Sequence, residues 1–256
     1  MMSNILSLCE MSNDDVNRCL NNGISPLKHD TVYLGSEFCW DKLVAGQDWR
    51  RLISVCHKNG NKVYFVFPIL PERHINSFNI LLTSLIKEGI DGVVVNDLGI
   101  LYYIYRQVPS LPIVIGRLLI KSSRDYIHPC QGTKVFRFPQ EIVKISQDFN
   151  CIRIDTDYGL FSKTDADDLD VEIGIHNVSY LTSTMCCDYK YDENVKYAKI
   201  DSVCKLNCMK EVIMIPESPL IKLGNVLLYY PSIADEFIAD KIIIDYKCYQ
   251  LIKSVR

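Results

Sequence analysis

The 256-residue sequence lacks a strong charge of either sign, a membrane-length apolar run and the short motifs of several common chemistries. Its formal net charge of −3 and pI near 6.0 remove any electrostatic case for nucleic acid as a partner. No run approaches the ~18 uninterrupted apolar residues of a membrane span. The opening MMSNILSLCEMSNDD has no basic segment before its short apolar stretch and turns acidic at once, which argues against a secretory signal. No G-x-G-x-x-G follows the first expected strand, which weakens a dinucleotide site. G-x-S-x-G and H-E-x-x-H are both missing, so a conventional hydrolase mechanism has no visible residues. The five histidines (His29, His57, His74, His128 and His176) form no H-x₃-H pair, and a zinc site built on histidine is poorly supported. There is no low-complexity segment or clean linker, so residues 1–256 read as one domain.

What the chain does have is cysteine. It carries 11, an odd number with irregular spacing. Without a secretory signal, that favours a reducing cytoplasm and metal ligation over a disulfide framework. Four of them, Cys186, Cys187, Cys204 and Cys208, stand among Asp, Lys, Asn and Tyr, where packing does not account for them. Cys204 and Cys208 are four apart, which puts both sulfurs on one face of a helical turn. Paired thiolates suit a thiophilic metal, and four close a zinc or iron–sulfur site. Adjacent residues point opposite ways, so only one of Cys186 and Cys187 is expected to bind. Cys39 is the expected distant ligand, with Cys9 a substitute that core packing explains more simply. Cys19, Cys56 and Cys151 lie on apolar faces and read as core; Cys130 and Cys248 carry no signal.

With 48% hydrophobic residues, the chain can bury a full core. Strand-like runs at Ile5–Cys9, Thr31–Gly35, Lys62–Pro68, Gly92–Asn96, Pro112–Gly116 and Lys134–Pro139 alternate with helical patterns. The helices are expected from Asn13, from Asp48, over Asn76–Lys87 and from Leu98 through Tyr105. This cadence of about 30 residues predicts a (β/α) TIM-like barrel, with a doubly wound sheet as the alternative. Cys151–Asp155 and Asp170–Ile175 are further strands, separated by an acidic connection over 162–168. Val212–Ile215 and Val226–Tyr230 read as a small cysteine-bearing β appendage. Ser232–Ile238 reads as a short helix and Lys241–Asp245 as the closing strand.

In such a barrel the loops after the strands share one mouth, where sites form. Cys39 and the cysteine stretch both follow strand ends there. His176 also leaves a strand end, with a satisfied structural role the simpler expectation. Glu172 could act as a general acid or base if it points inward. The tyrosines at Tyr102, Tyr103 and Tyr105, and at Tyr229-Tyr230, suggest a protein-binding surface, the second set more than the first.

Several stretches resemble the collagenase-like peptidase family U32: Val32-Tyr33-Leu34-Gly35, Gly60-Asn61-Lys62-Val63-Tyr64, Gly89–Val95, Asn96-Asp97-Leu98-Gly99 and Leu111-Pro112-Ile113. Within it the chain is most similar to the branch that forms the short subunit of an oxygen-independent ubiquinone hydroxylation pair. Three features carry this: a cysteine four residues after Tyr-Leu-Gly (Cys39), another nine after Asn177 (Cys186), and the C-x₃-C of Cys204 and Cys208. The resemblance implies a [4Fe–4S] cluster held by Cys39, Cys186, Cys204 and Cys208, with Cys187 the alternate for Cys186. It also implies a longer paralogue as partner and a part in oxygen-independent hydroxylation. A non-catalytic, cluster-stabilised scaffold subunit is the second reading and a peptidase the third. The family's peptidase signature is not preserved around Glu172 to Cys187.

Overall fold

Lys62–Phe67 shows how this sequence makes strands: every residue after the first is buried, as expected for a parallel strand covered on both faces. In the computed structural model, the described residues are 3–9, 11, 15–16, 18–19, 29–44, 48–120, 140–157, 171–177, 179–183, 212–214, 220–223, 226–229 and 241–248. Eight of its strands close a barrel: β1 (Ser3–Ser7), β2 (His29–Gly35), β3 (Lys62–Phe67), β4 (Gly92–Val95), β5 (Ile113–Ile115), β6 (Arg153–Asp157), β7 (Glu172–His176) and β12 (Lys241–Asp245). Every pairing around the ring is parallel, and β12 closes it between β7 and β1. The barrel expectation is therefore met and the doubly wound sheet is not.

The outer faces of the strands pack under α1 (Trp40–Val44), α2 (Trp49–Lys58), α3 (Ile75–Lys87), α4 (Leu98–Gln107) and α5 (Gln140–Asp148). Two of these helices, α2 and α4, begin at side-chain caps. The Asp48 side chain accepts from the Arg51 backbone N–H at 3.1 Å, and Asp97 accepts from Ile100 at 3.0 Å. Asp97 also accepts from the Leu70 N–H at 3.2 Å, tying the loop after β3 to the loop after β4. Ile100, Leu101 and Ile104 face the barrel, which leaves Tyr102 57% exposed. Tyr103 packs edge-on to Phe78, and Tyr105 packs on Phe149.

A second sheet is antiparallel, in the order β8 (Ser179–Ser183), β11 (Val226–Tyr229), β10 (Leu220–Leu223), β9 (Val212–Met214). β9 and β11 are the two strands expected of the appendage; β8 and β10 were not foreseen, and its cysteines lie outside the described residues. The sheet leaves the barrel at its C-terminal end, since β8 starts three residues after His176 closes β7.

Three differences from the sequence reading have physical causes. β5 pairs directly with β6, Val114 opposite Arg153, so the ring closes without a strand at Lys134–Pro139, which lies outside the described residues. The five-residue α1 went unforeseen because it is too short to show a helical period. β6 and β7 each run on past the expected end, to Asp157 and His176, carrying charge to the barrel mouth. Ser232–Ile238, the acidic connection at 162–168 and Tyr230 lie outside the described residues.

Candidate functional site

Strand alternation turns every second residue into the barrel. In β6 those are Arg153, Asp155 and Asp157; in β7, Glu172, Gly174 and His176; in β12, Lys241, Ile243 and Asp245. Opposite them, Ile5, Tyr33, Tyr64, Val66, Val94 and Val114 form an inner apolar cluster with Ile243. One side of the lumen is therefore charged and the other apolar, with the charges sorted into two layers.

The lower layer lies toward the N-terminal ends of the strands. Arg153 donates Nε–H to Asp155 Oδ1 at 2.8 Å, Tyr33 donates its hydroxyl to Asp155 Oδ2 at 2.6 Å, and Arg153 also reaches the Tyr33 hydroxyl. The Arg153 guanidinium lies 5.8 Å from the ring centroids of both Tyr33 and Tyr64. Burial is the main cause that pushes the Tyr33 phenol well above its ordinary value, so the hydroxyl stays protonated. Glu172 pairs with Arg153 and with Lys241, each at 3.5 Å. It points inward, as its candidate role required, but at the end opposite the mouth and with two cations attached.

The upper layer sits at the C-terminal ends, where barrel sites form. Arg117, in the turn after β5, is almost completely buried. Its guanidinium forks onto Glu37, with Nε to Oε1 at 3.0 Å and Nη2 to Oε2 at 2.6 Å. Nη1 donates to Asp157 Oδ1 at 3.1 Å and lies 3.9 Å from Asp245 Oδ2. His176 is 2% exposed, with Nδ1 3.1 Å from Asp245 Oδ2 and Nε2 3.8 Å from Glu37 Oε1. It is the satisfied histidine that the simpler expectation described, placed at the mouth.

Opposing effects set the protonation here. Burial works to lower the Arg117 pKa, but Glu37, Asp245 and Asp157 outweigh it and hold the guanidinium charged. Burial and Arg117 both work to lower the His176 pKa; Asp245 and Glu37 overcome them and leave it raised. Burial raises the Asp245 carboxyl, while His176 and Arg117 together bring it below its usual value. For Glu37, burial wins over Arg117 and His176, and the net shift is upward.

Ligand atoms of Glu37, His176 and Asp245 lie within 4.8 Å of one another, close enough to suggest a metal. The forked guanidinium argues otherwise. Each charge on an ion about 4 Å from Arg117 would cost on the order of 4 kcal/mol at an effective dielectric of 20. Arg117 already serves as the cation, and the trio is an ion-pair network.

The cavity beside it has a volume of about 10 Å³ and is lined by Cys9, Glu37, Arg117, Leu228, Asp245 and Cys248, among others. That is about the room one water needs. Leu228, on β11, is 1% exposed, so the appendage sheet covers this side of the mouth.

Cys39 follows β2 at this same end. It is partly exposed, and its N–H donates to Ser36 Oγ at 3.1 Å. Cys186, Cys187, Cys204 and Cys208 lie outside the described residues. Cys19, Cys56 and Cys151 are buried as expected, and burial pushes the thiols of Cys56 and Cys151 up to about 12. Cys9 is buried on the barrel's inner face, and the buried Cys248 thiol is likewise pushed up to about 12. Glu37, Arg117, Asp157 and Asp245 were not singled out from the sequence. The available signal was a charged residue at or just past the end of four strands.

The fold and this charged mouth define a parallel (β/α) barrel protein. Residues 17–118 match the sequence model of Peptidase family U32. A solved structure titled "The Structure of the U32 Peptidase Mk0906" is similar over 95% of this chain and 92% of that chain, with 13% identity and a TM-score of 0.51. That likeness is one of fold. No curated protein matches the sequence. No described helix is long and apolar enough to cross a membrane.

Proposed function

We propose that this chain is a cluster-bearing subunit similar to UbiV, holding a [4Fe–4S] cluster at the barrel mouth through Cys39, Cys204, Cys208 and one of Cys186 and Cys187. One observation carries the reading. Cys39 offers a partly exposed thiol at the C-terminal end of β2, and β8 rises from that same barrel end to lead into the cysteine stretch. Residues 184–211 join β8 to β9, so both ends of that stretch are tied to the appendage sheet. Cys39 fits as a ligand on chemical grounds too: it is a soft donor, whereas Glu37 and Asp245 are hard donors and His176 a borderline one, all taken up by Arg117 or one another. A cluster with four thiolate ligands supplies one-electron transfer or structural support rather than an open iron site for substrate.

The paired charges of the described mouth favour the scaffold form of this proposal. The charged groups of the described mouth are paired with one another, and the cavity beside them, about 10 Å³, is about the room of one water. The chain would then support a longer, UbiU-like paralogue in an oxygen-independent hydroxylation, in a reducing cytoplasm. The peptidase named by the family and by the solved neighbour is the weaker reading, because G-x-S-x-G and H-E-x-x-H are missing and the charged groups of the described mouth are paired with Arg117 or one another. The test is anaerobic purification with iron and sulfide quantitation, followed by identification of co-purifying paralogues. Cluster-loaded protein that brings down a longer paralogue supports the proposal; iron-free protein that cleaves peptides overturns it.

A further inference from the structure

The segment leading into Cys39 is held at each step. Gly35 has φ +115°, and a side chain there would run into the Val66 backbone. The Ser36 N–H bonds to the Val66 carbonyl at 3.2 Å, and the Ser36 hydroxyl accepts from Cys39. Glu37 is forked onto Arg117, and the Phe38 ring lies 5.7 Å from the same guanidinium. Arg117 is itself fixed. The Gly116 N–H bonds to the Val95 carbonyl at 2.8 Å, and the Leu118 N–H bonds to Asn96 Oδ1 at 3.1 Å. The guanidinium then reaches Asp157 on β6 and Asp245 on β12. A buried cluster of this kind is weak evidence for stability, since well-packed apolar residues often do as well, and in some proteins such groups specify one geometry instead. Here the geometry it holds is the approach to Cys39.

We propose that Arg117 is a positioning residue for the Cys39 thiol: its fork on Glu37 anchors the 35–39 segment to the barrel wall, so that Cys39 meets the cluster without a cost of ordering its loop. The claim rests on the cluster reading above. It differs from the ligand assignment, because Arg117 and Glu37 touch no iron and act only through the position of Cys39.

The test compares wild type with Arg117→Lys and Glu37→Gln, each purified and reconstituted anaerobically. Arg117→Lys keeps the charge and loses the fork; Glu37→Gln keeps the shape and weakens the fork. Circular dichroism and thermal melting establish that each variant is folded, and Glu37→Gln decides if Arg117→Lys does not fold. Loss of a group that orients a ligand typically costs 10–100-fold in metal affinity. Chelator stripping of iron should therefore be about 10–100-fold faster in a folded variant, with an altered EPR signal of the reduced cluster. A folded variant with wild-type stripping rate and signal overturns the inference while leaving the cluster reading standing. If wild type itself holds no iron, the cluster reading fails separately. The positioning claim is then decided by the iodoacetamide labelling rate of Cys39: a rate changed in the variants supports it, and equal rates overturn it.

Discussion

The imidazole Nδ1 of His176 lies 3.1 Å from Asp245 Oδ2, joining the C-terminal ends of two neighbouring strands, β7 and β12. The contact lies in the part of the ring where the chain's last barrel strand closes on the others.

This pair gives stability a dependence on pH. The His176 pKa is raised on folding, so its contribution is complete below its usual value near 6.5 and is lost as pH rises through the folded value. Asp245 is lowered, so its contribution holds above its usual value near 3.8 and is lost as pH falls through the folded value. Glu37 runs the other way: its raised pKa means that ionisation works against folding. Urea midpoints of wild type should fall on going from pH 6 to higher pH, and those of His176→Asn should change less. Parallel pH profiles would show that His176 contributes no such term.

The lower layer makes a second prediction. Removing the Tyr33 hydroxyl strips a buried hydrogen bond from Asp155 and a contact from Arg153. Tyr33→Phe should lower unfolding free energy by about 1–3 kcal/mol in urea titrations, the usual cost of an unsatisfied buried group. A change under about 0.5 kcal/mol would mean that the network closes up without it.

The barrel was legible because its strands are continuous or alternating apolar runs cut by glycine and proline, and those local signals agree with the tertiary arrangement. Gly92–Val95 and Ile113–Ile115 needed nothing more. The mouth was harder to read. Arg-Ile-Asp-Thr-Asp at 153–157 alternates charge with other residues, which reads locally as a solvent-facing strand, yet its charges point into the lumen. Arg117 and Glu37 are 80 residues apart, and no local period links them. Their pairing depends on β2 and β5 ending on the same rim, which only the closed ring establishes. The place of Cys39, just past the end of β2 at the mouth, was legible from the strand pattern alone.

Under the proposed cluster assignment, the buried Cys19, Cys56 and Cys151 are core residues and not ligands. Replacing Cys19, Cys56 or Cys151 by Ala should cost about 1–2 kcal/mol through a small cavity and leave the iron content unchanged. Loss of iron in the Cys56→Ala protein, with its fold intact, would mean that the ligands are wrongly assigned.

The most direct measurement is the iron and acid-labile sulfide content of anaerobically purified protein, compared between wild type and Cys39→Ser. The account predicts about four irons and four sulfides per chain in wild type, and a large loss in a Cys39→Ser protein with wild-type melting behaviour. Iron-free wild type after anaerobic reconstitution, or a full cluster in Cys39→Ser, would contradict it.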